Sequence, residues 1–267
     1  MIHPSAVIHP KAQLHSSVEV GPYAVVDEAV VIGSDCRLGP HVYITGETTI
    51  GQNNRFSAGC VIGDAPQDLK YKGEPTRLRI GDDNVFREHV TVHRSAKMAE
   101  ETIIGSRNFL MAHSHVGHNS VVGDQVIIAN GALLGGHAVV QDQAFISGNC
   151  LIHQFVRVGT LALMQGGSAI SKDLPPFTIA RGANGICGLN VIGLRRAGYS
   201  PEQRRELRRL YALLFRGKKH LTHALAEADG QTWSEPARRL ILFIHESKRG
   251  VCREGGRTIE HWDGADE

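Results

Sequence analysis

Large apolar residues recur at every sixth position along most of this chain. The series runs from Ile2 to Ile170, and only Asp68 and Glu74, which lie in one polar segment, place a charge in it. A period of six matches neither the 3.6-residue repeat of an α-helix nor the alternation of a lone strand. We therefore interpret this region as a stack of six-residue units. The series includes Ile8, Leu14, Val20, Val26, Ile32, Leu38, Ile44, Ile50, Phe56, Ile62, Ile80, Phe86, Val92, Ile104, Leu110, Val116, Val122, Ile128, Leu134, Val140, Ile146, Ile152, Val158 and Met164.

A second position, four residues after each large apolar one, is mostly small. Examples are Ala6, Ala12, Val18, Ala24, Val30, Cys36, Val42, Thr48 and Cys60, and glycine often directly follows the large residue, as at Gly21, Gly33, Gly39, Gly51 and Gly63. Each hexad then forms one short strand and a tight corner, where we expect glycine to relieve the backbone. Three hexads close a coil of about 18 residues, and successive coils pair their strands in parallel. The pattern predicts a mainly β protein built as a parallel β-helix.

The pattern changes after the Pro175-Pro176 pair. Apolar residues at helical spacing follow Pro201, a second helix is expected at about 218–228, and a third begins near Ser234. We predict two domains, a β-helix over 1–189 and a small α-helical C-terminal domain over 190–267.

Two polar segments interrupt the hexads. Loops on a rigid scaffold often carry function, and the longer insertion, GDAPQDLKYKGEPTRLR at 63–79, is a candidate for that. The shorter insertion, RSAKMAEET at 94–102, is interpreted as a tolerated surface loop.

Composition excludes several classes of function. The net charge of +2 gives no field that would attract nucleic acid, and no apolar run is long enough for a membrane span. The N-terminal MIHPSAVIHP lacks the basic flank and apolar core of a signal peptide. Five cysteines without CxxC spacing fit a reducing cytoplasm, and three of them, Cys36, Cys60 and Cys150, occupy the small inward position.

Histidines cluster in two consecutive stretches, HSHVGHNSVVGD at 113–124 and GGHAVV…LIHQF between 135 and 155. Histidine suits the role of general base because its ordinary pKa lies close to neutral pH. The candidates are His113, His115, His118, His137 and His153.

Several motifs together resemble the UDP-N-acetylglucosamine acyltransferase family of lipid A biosynthesis over about residues 1–250. They are QDLKYKGEPTR (67–77), the two histidine stretches, DLPPFTIARG (173–182) and NVIGLRRAGYS (190–200). The resemblance implies a left-handed turn for the β-helix and a homotrimer. It also implies transfer of a 3-hydroxyacyl chain from acyl carrier protein to the sugar 3-hydroxyl. No cofactor or metal is implied beyond the phosphopantetheine arm of the donor.

The same resemblance assigns roles to individual residues. His118 would be the general base, and the Gly136 N–H would stabilise the oxyanion. Gly166 would limit acyl-chain length, and its missing side chain suggests a long chain. The residues expected to bind substrate are Asp68, Lys70, His115, His137, His153, Gln154, Asn190 and Arg196.

Three positions depart from the family pattern. Asn119 stands where an aspartate commonly follows the catalytic histidine, and it adds no charge to stabilise an imidazolium. Ile192 replaces an acidic residue, and Ala197 replaces a second arginine. An alternative acceptor is therefore a sugar nucleotide with a 3-amine, which would give an amide.

Other classes of protein share hexad repeats. His113 and His118 have the HxxxxH spacing of γ-class carbonic anhydrases, in which His93 or His137 could supply a third metal ligand. A scaffold without activity is a further alternative. So is a later N-acyltransferase of the same pathway, although that enzyme normally has an additional N-terminal domain.

A basic run begins at Pro201 and suits an acidic partner. We expect it to bind acyl carrier protein, because charge complementarity steers such encounters. Its members are Arg204, Arg205, Arg208, Arg209, Arg216, Lys218 and Lys219.

Overall fold

The computed structural model of the chain describes residues 1–217 and 219–255, and most of them form a left-handed parallel β-helix. Strands of two to five residues stack into three faces. Face 1 contains β1 (Val7–Ile8), β4 (Val25–Val26), β7 (Tyr43–Ile44), β10 (Val61–Asp64), β13 (Thr91–His93), β16 (His115–Val116), β19 (Leu133–Leu134), β22 (Leu151–Ile152) and β25 (Ala169–Ile170). Face 2 contains β2 (Gln13–Leu14), β5 (Val30–Ile32), β8 (Glu47–Ile50), β11 (Arg77–Ile80), β14 (Glu101–Ile104), β17 (Val121–Val122), β20 (Val139–Val140) and β23 (Arg157–Val158).

Face 3 is the longest of the three and joins the helical region. It contains β3 (Glu19–Val20), β6 (Arg37–Leu38), β9 (Arg55–Phe56), β12 (Val85–Phe86), β15 (Phe109–Leu110), β18 (Ile127–Ile128), β21 (Phe145–Ile146), β24 (Leu163–Met164), β26 (Thr178–Arg181), β27 (Gly185–Leu189) and β28 (Arg253–Glu254). All ladders are parallel except the pairing of β26 with β27.

The hexad series forms the core of the prism, as predicted. Every residue named in the series from Val20 to Ile170 is buried, whereas Ile2 remains 51% exposed because no coil lies beneath it. Parallel pairing sets equivalent residues of successive coils side by side, so that Val116 pairs with Val92 below and Leu134 above. The thiol of Cys60 is fully buried, and this burial raises its pKa to about 12. It is therefore a core residue and not a nucleophile.

Most glycines that follow a large apolar residue have a different cause from the one expected, whereas Gly63, with a φ of +80°, adopts the left-handed conformation as expected. Gly33 and Gly51 do not adopt the left-handed conformation, which falls instead on Asp35 and Asn53 two residues later. A Cβ on Gly33 would lie 2.7 Å from the carbonyl oxygen of Gly51 in the next coil. These positions are glycine because stacked coils approach each other too closely for a side chain.

A ladder of buried asparagines ties successive coils together. The Asn54 side-chain oxygen accepts from the backbone and side-chain nitrogens of Asn84 at 3.0 and 2.9 Å. Asn84 in turn accepts from the Asn108 N–H at 2.9 Å, and Asn108 accepts from the Val126 N–H at 2.7 Å. These polar side chains are tolerated in the core because each satisfies backbone groups that the corners leave unpaired.

Within the described residues, four α-helices follow the prism. They are α1 (Val191–Arg196), α2 (Pro201–Tyr211), α3 (Leu221–Asp229) and α4 (Glu235–His245), with one π-helical segment at Ala212–Arg216. The helices expected after Pro201 and near Ser234 are confirmed, and Ser200 forms a capping box with Gln203 at the start of α2. The helix expected at about 218–228 runs from Leu221 to Asp229, and α1 was not predicted.

The helical region packs directly on the end of the prism. Leu161 and Phe177 from the prism join its apolar core, and β28 returns to pair with β27. The division of the chain at 189 and 190 therefore stays a prediction.

No helix within the described ranges is long and apolar enough to cross a membrane. Residues 256–267 of the predicted second domain lie outside the described residues.

The asparagine ladder generates a prediction about stability. Asn84→Ala should lower the free energy of unfolding by about 2–4 kcal/mol, because the buried Asn108 N–H and Gly105 carbonyl lose their partners. Urea denaturation would measure the change, with Asn130→Ala as the control because Asn130 is exposed. Equal stability of the two variants would contradict this role for the ladder.

Candidate active site

A cavity of about 460 Å³ lies along the corner at which face 1 turns into face 2. Residues one coil apart stack along this corner, so that Gly136 lies between His118 and Gln154. Leu133, Leu151 and Ala169 continue the cavity across the outer side of face 1. The cavity thus combines a polar corner with an apolar floor, and both arise from the same stacking of coils.

His118 is fixed in orientation at this corner and is only 7% exposed. Its Nδ1 lies 2.8 Å from the Oδ1 of Asn119, so that Nδ1 carries the proton and Nε2 is left as an acceptor. The ring lies against Gly136, where a Cβ would come within 2.7 Å of both Cε1 and Nε2. A side chain at position 136 would therefore displace the imidazole.

Two further histidines lie near His118, His115 in the same coil and His93 in the coil below. His115 lies 2.7 Å from the hydroxyl of Thr91 through Nδ1, and burial lowers its pKa to about 4. His93 packs edge-on against His115 with ring centroids 4.9 Å apart, and burial lowers its pKa also. The buried Nδ1 of His93 has no hydrogen-bond partner within the described residues. Both rings are therefore neutral at pH 7 and place no positive charge beside His118.

The coil above His118 contributes a backbone donor and a second ring. The Gly136 N–H has no acceptor in the part of the chain that the structure describes, and it borders the cavity. His137 stacks on Phe155 with centroids 4.5 Å apart and meets His118 edge-on at 5.3 Å. Burial lowers the pKa of His137, and the charge of Asp68 acts in the opposite direction. A base and a free N–H donor therefore face one cavity.

Comparison with known proteins decides the family. A model of the UDP-N-acetylglucosamine O-acyltransferase second domain matches residues 173–252, and a bacterial transferase hexapeptide model matches 29–64 and 101–136. Acyl-[acyl-carrier-protein]--UDP-N-acetylglucosamine O-acyltransferases of Thermodesulfovibrio yellowstonii and Myxococcus xanthus are each 44% identical to this chain, covering 94% of it and 99% of themselves. The chain belongs to the UDP-N-acetylglucosamine O-acyltransferase family.

Solved structures agree with this family assignment. The UDP-N-acetylglucosamine acyltransferase of Francisella novicida superimposes with a TM-score of 0.91 at 34% identity, covering 96% of this chain and 95% of its own. That of Bacteroides fragilis gives 0.91 at 38% identity, covering 95% and 100%. The left-handed prism and the helices after it are therefore the fold of this acyltransferase family.

Most of the residues assigned by resemblance lie together in this acyltransferase chain. His115, His118, Gly136, His153 and Gln154 line the cavity, and His137 adjoins it. Gln67 from the first insertion also lines the cavity. Its neighbour Asp68 is half-buried and accepts from the Lys70 N–H at 2.9 Å, while the Lys70 side chain is exposed.

The remaining assigned residues lie on other parts of the prism. Asn190 and Arg196 line a separate cavity of about 910 Å³ on face 3, together with Ile192 and Ala197. The Asn190 side chain caps α1 by accepting from Gly193 N–H at 2.9 Å. Gly166 is exposed at the corner between faces 3 and 1, which is the far edge of the face that carries the apolar floor.

The γ-class carbonic anhydrase alternative is not supported by this geometry or by the relatives. His113 lies at the corner between faces 3 and 1 and stacks on His89, whereas His118 lies at the corner between faces 1 and 2. Over residues 1–217 and 219–255, no three His, Cys, Asp or Glu side chains group closely enough to hold a metal.

Sequence reasoning missed three residues of the site. His93 was considered only as a metal ligand, and Ser95 and Glu100 lie in the second insertion, which was interpreted as a surface loop. Both Ser95 and Glu100 contact Asn119, at 2.7 Å each. The position of the insertion, directly after His93 and one coil before His118, was the available signal.

The burial of His115 generates a prediction about pH. Because its folded-state pKa is about 4 and its ordinary value is 6.5, the unfolded chain takes up a proton first as pH falls. His115 therefore contributes stability that is complete above pH 6.5 and is lost toward pH 4, by about 3 kcal/mol. Denaturation of the parent and of His115→Asn from pH 7 to pH 4 would measure this. An equally steep decline in His115→Asn would contradict the assignment.

Proposed function

We propose that this chain transfers a 3-hydroxyacyl group from acyl carrier protein to the 3-hydroxyl of UDP-N-acetylglucosamine, the first step of lipid A biosynthesis. The observation that carries this proposal is the Nδ1-protonated His118, whose ring packs against Gly136, a residue with a free N–H beside the same cavity. The names of the relatives support the donor and the acceptor. They favour the hydroxyl acceptor over a 3-amine.

The reaction needs a base for the sugar proton and a donor for the developing oxyanion. The Nε2 of His118 accepts the proton of the 3-hydroxyl while the sugar oxygen attacks the thioester carbonyl carbon. The Gly136 N–H donates to the resulting oxyanion. Collapse of the intermediate breaks the carbon–sulfur bond, and the phosphopantetheine thiolate takes the proton back from His118. No acyl-enzyme and no resident cofactor take part.

The apolar floor suits the acyl chain. Leu133 and Leu151 are 43% and 49% exposed on the outer side of face 1, and Ala169 follows them in register. A chain that crosses this face from the His118 corner runs toward the opposite corner, which contains Gly166. This geometry supports the assignment of Gly166 to the end of the acyl groove.

The acceptor needs residues from two parts of the prism. Asp68, Lys70, His153 and Gln154 are proposed to contact the sugar half. Asn190 and Arg196 are proposed to contact the nucleotide, and in one chain they lie on face 3, away from the His118 corner. A neighbouring copy would supply them, which supports a homotrimer closed about a threefold axis. Ile192 and Ala197 lie beside them. The proposed nucleotide site of this protein is therefore less charged than the site that the family pattern describes.

The basic helix α2 is the proposed surface for the acyl carrier protein. Arg205 and Arg208 are exposed, although Arg205 already pairs with Glu202 at 2.8 Å and Arg209 lies over Trp233. Lys218 of this run lies outside the described residues.

All five cysteines are free, which supports a reducing compartment and hence the cytoplasm.

The proposed base is tested by a matched pair of histidine variants. His118→Ala should lower kcat for 3-hydroxyacyl transfer at least about a hundredfold, because the sugar proton loses its acceptor. His113→Asn, from the opposite corner of the same coil, should retain activity, and asparagine suits the φ of +60° there. The assay uses a panel of 3-hydroxyacyl carrier proteins with UDP-N-acetylglucosamine. Full activity in His118→Ala would overturn the mechanism.

The acyl groove generates a prediction about chain length. Gly166→Met and Ala169→Met should each shift the preferred donor to a shorter acyl chain, since both side chains would fill the far end of the groove. A Cβ at position 166 meets no atom closer than 3.6 Å, so the first substitution leaves the fold intact. Relative kcat/KM across the donor panel is the measurement. An unchanged preference in Gly166→Met together with a shift in Ala169→Met would move the end of the groove to Ala169.

A further inference from the structure

The second insertion reaches the catalytic corner through Asn119. This residue is 7% exposed, and its side-chain amide makes four hydrogen bonds. Its Oδ1 accepts from the Ala96 N–H at 2.9 Å and from His118 Nδ1 at 2.8 Å. Its Nδ2 donates to Ser95 Oγ and to Glu100 Oε2, both at 2.7 Å. Apart from His118, the partners of the Asn119 amide therefore all belong to the second insertion.

An amide can face its neighbours in two ways, and only one of them suits a base at Nε2. Oδ1 must face His118, because an Nδ2 in that place would donate to Nδ1 and force the proton onto Nε2. An ionised carboxylate can only accept, so Glu100 requires Nδ2 on its own side. The Ala96 N–H acts in the same sense by requiring an acceptor. Ser95 does not decide the matter, because a hydroxyl can accept or donate.

Glu100 also brings a negative charge to the corner. Its hydrogen bond and ion pair with Lys97, at 2.9 Å, lower the pKa of its carboxyl, and the Asn119 amide acts in the same direction. The same carboxylate lies 3.8 Å from Nδ1 of His137. Asp68 is the other carboxylate whose charge reaches His137. Glu100 is thus ionised, and the side-chain amide of Asn119 links it to His118 through two hydrogen bonds.

We propose that Glu100 is a positioning residue that acts through Asn119. It holds His118 with the proton on Nδ1, and it supplies the negative charge that an aspartate at position 119 would otherwise supply. Asn119 and Glu100 then form one unit, since carboxylates at both positions would lie about as close as the present 2.7 Å contact and would repel each other. This inference rests on the proposed function, because it assigns His118 the role of base.

The test is a double-substitution cycle at positions 100 and 119. Glu100→Gln should lower kcat about tenfold to a hundredfold with little change in KM. The negative charge of Glu100 is lost, and the Asn119 amide can then rotate so that Oδ1 and Nδ2 exchange places. Asn119→Asp should restore most of that loss in the Glu100→Gln background, since the new carboxylate accepts from His118 directly and from the amide introduced at position 100. In the parent background the same substitution should give no gain. Glu101→Gln is the matched control, because Glu101 pairs with Arg77 and Arg79 instead.

A spectroscopic readout separates positioning from folding and from the proposed function. Long-range ¹H–¹⁵N NMR of the histidine rings should show His118 protonated on Nδ1 in the parent and in Glu101→Gln. A mixture of tautomers is expected in Glu100→Gln. Unchanged kcat and tautomer in Glu100→Gln, or no rescue by Asn119→Asp, would overturn the role of Glu100. A tautomer that changes as expected in a protein without acyl transfer would reject the proposed function and retain the positioning.

Discussion

The parallel pairing of each short strand with the strand one coil away is the constraint on which the rest of this structure depends. It fixes residues about 18 positions apart directly above one another, at the strand spacing of about 4.8 Å. At the corner of the proposed active site this stacking sets His118 against Gly136 and Asn119 below His137. The ring of His118 fits only because position 136 has no side chain. The geometry of the proposed active site therefore follows from the stacking of the coils.

The periodic part of this arrangement could be predicted from sequence. The hexad phase identified the buried series from Val20 to Ile170, whereas His118, Gly136 and Gln154 were assigned through the family resemblance. The role of glycines such as Gly33 was predicted wrongly, because the close approach between coils cannot be read from one coil alone. The six-residue helix α1 was missed because it is too short for a periodic pattern. It depends instead on its Asn190 cap and on packing against the prism.

The contacts made by the two insertions could not be predicted in the same way, because the insertions do not follow the six-residue repeat. Glu100 and Ser95 come to Asn119 through the path of a loop, and no spacing rule describes that path. Asn190 and Arg196 present the opposite case. Their part of the chain was recognised, but in one chain they line a separate cavity on face 3, away from His118. The sequence was thus least informative about the charged residue beside Asn119 and about the position of the residues proposed to bind the nucleotide.

The proposed chemistry uses three different environments around one corner. The neutral histidines His93 and His115 support the corner without adding positive charge, and the apolar floor on face 1 is proposed to receive the acyl chain. The ionised Glu100 lies behind Asn119 at the solvent edge, where its charge costs little to maintain. His118 lies where these three environments meet, which suits its proposed role of accepting the proton of the sugar hydroxyl.

Identification of the product is the most direct test of this account. Purified protein would be incubated with a 3-hydroxyacyl carrier protein and UDP-N-acetylglucosamine, and the sugar product would be examined by NMR and mass spectrometry. The account predicts a single ester at the 3-position and release of free carrier-protein thiol in equal amount. Release of free fatty acid with unmodified sugar, or an ester at another hydroxyl, would contradict it.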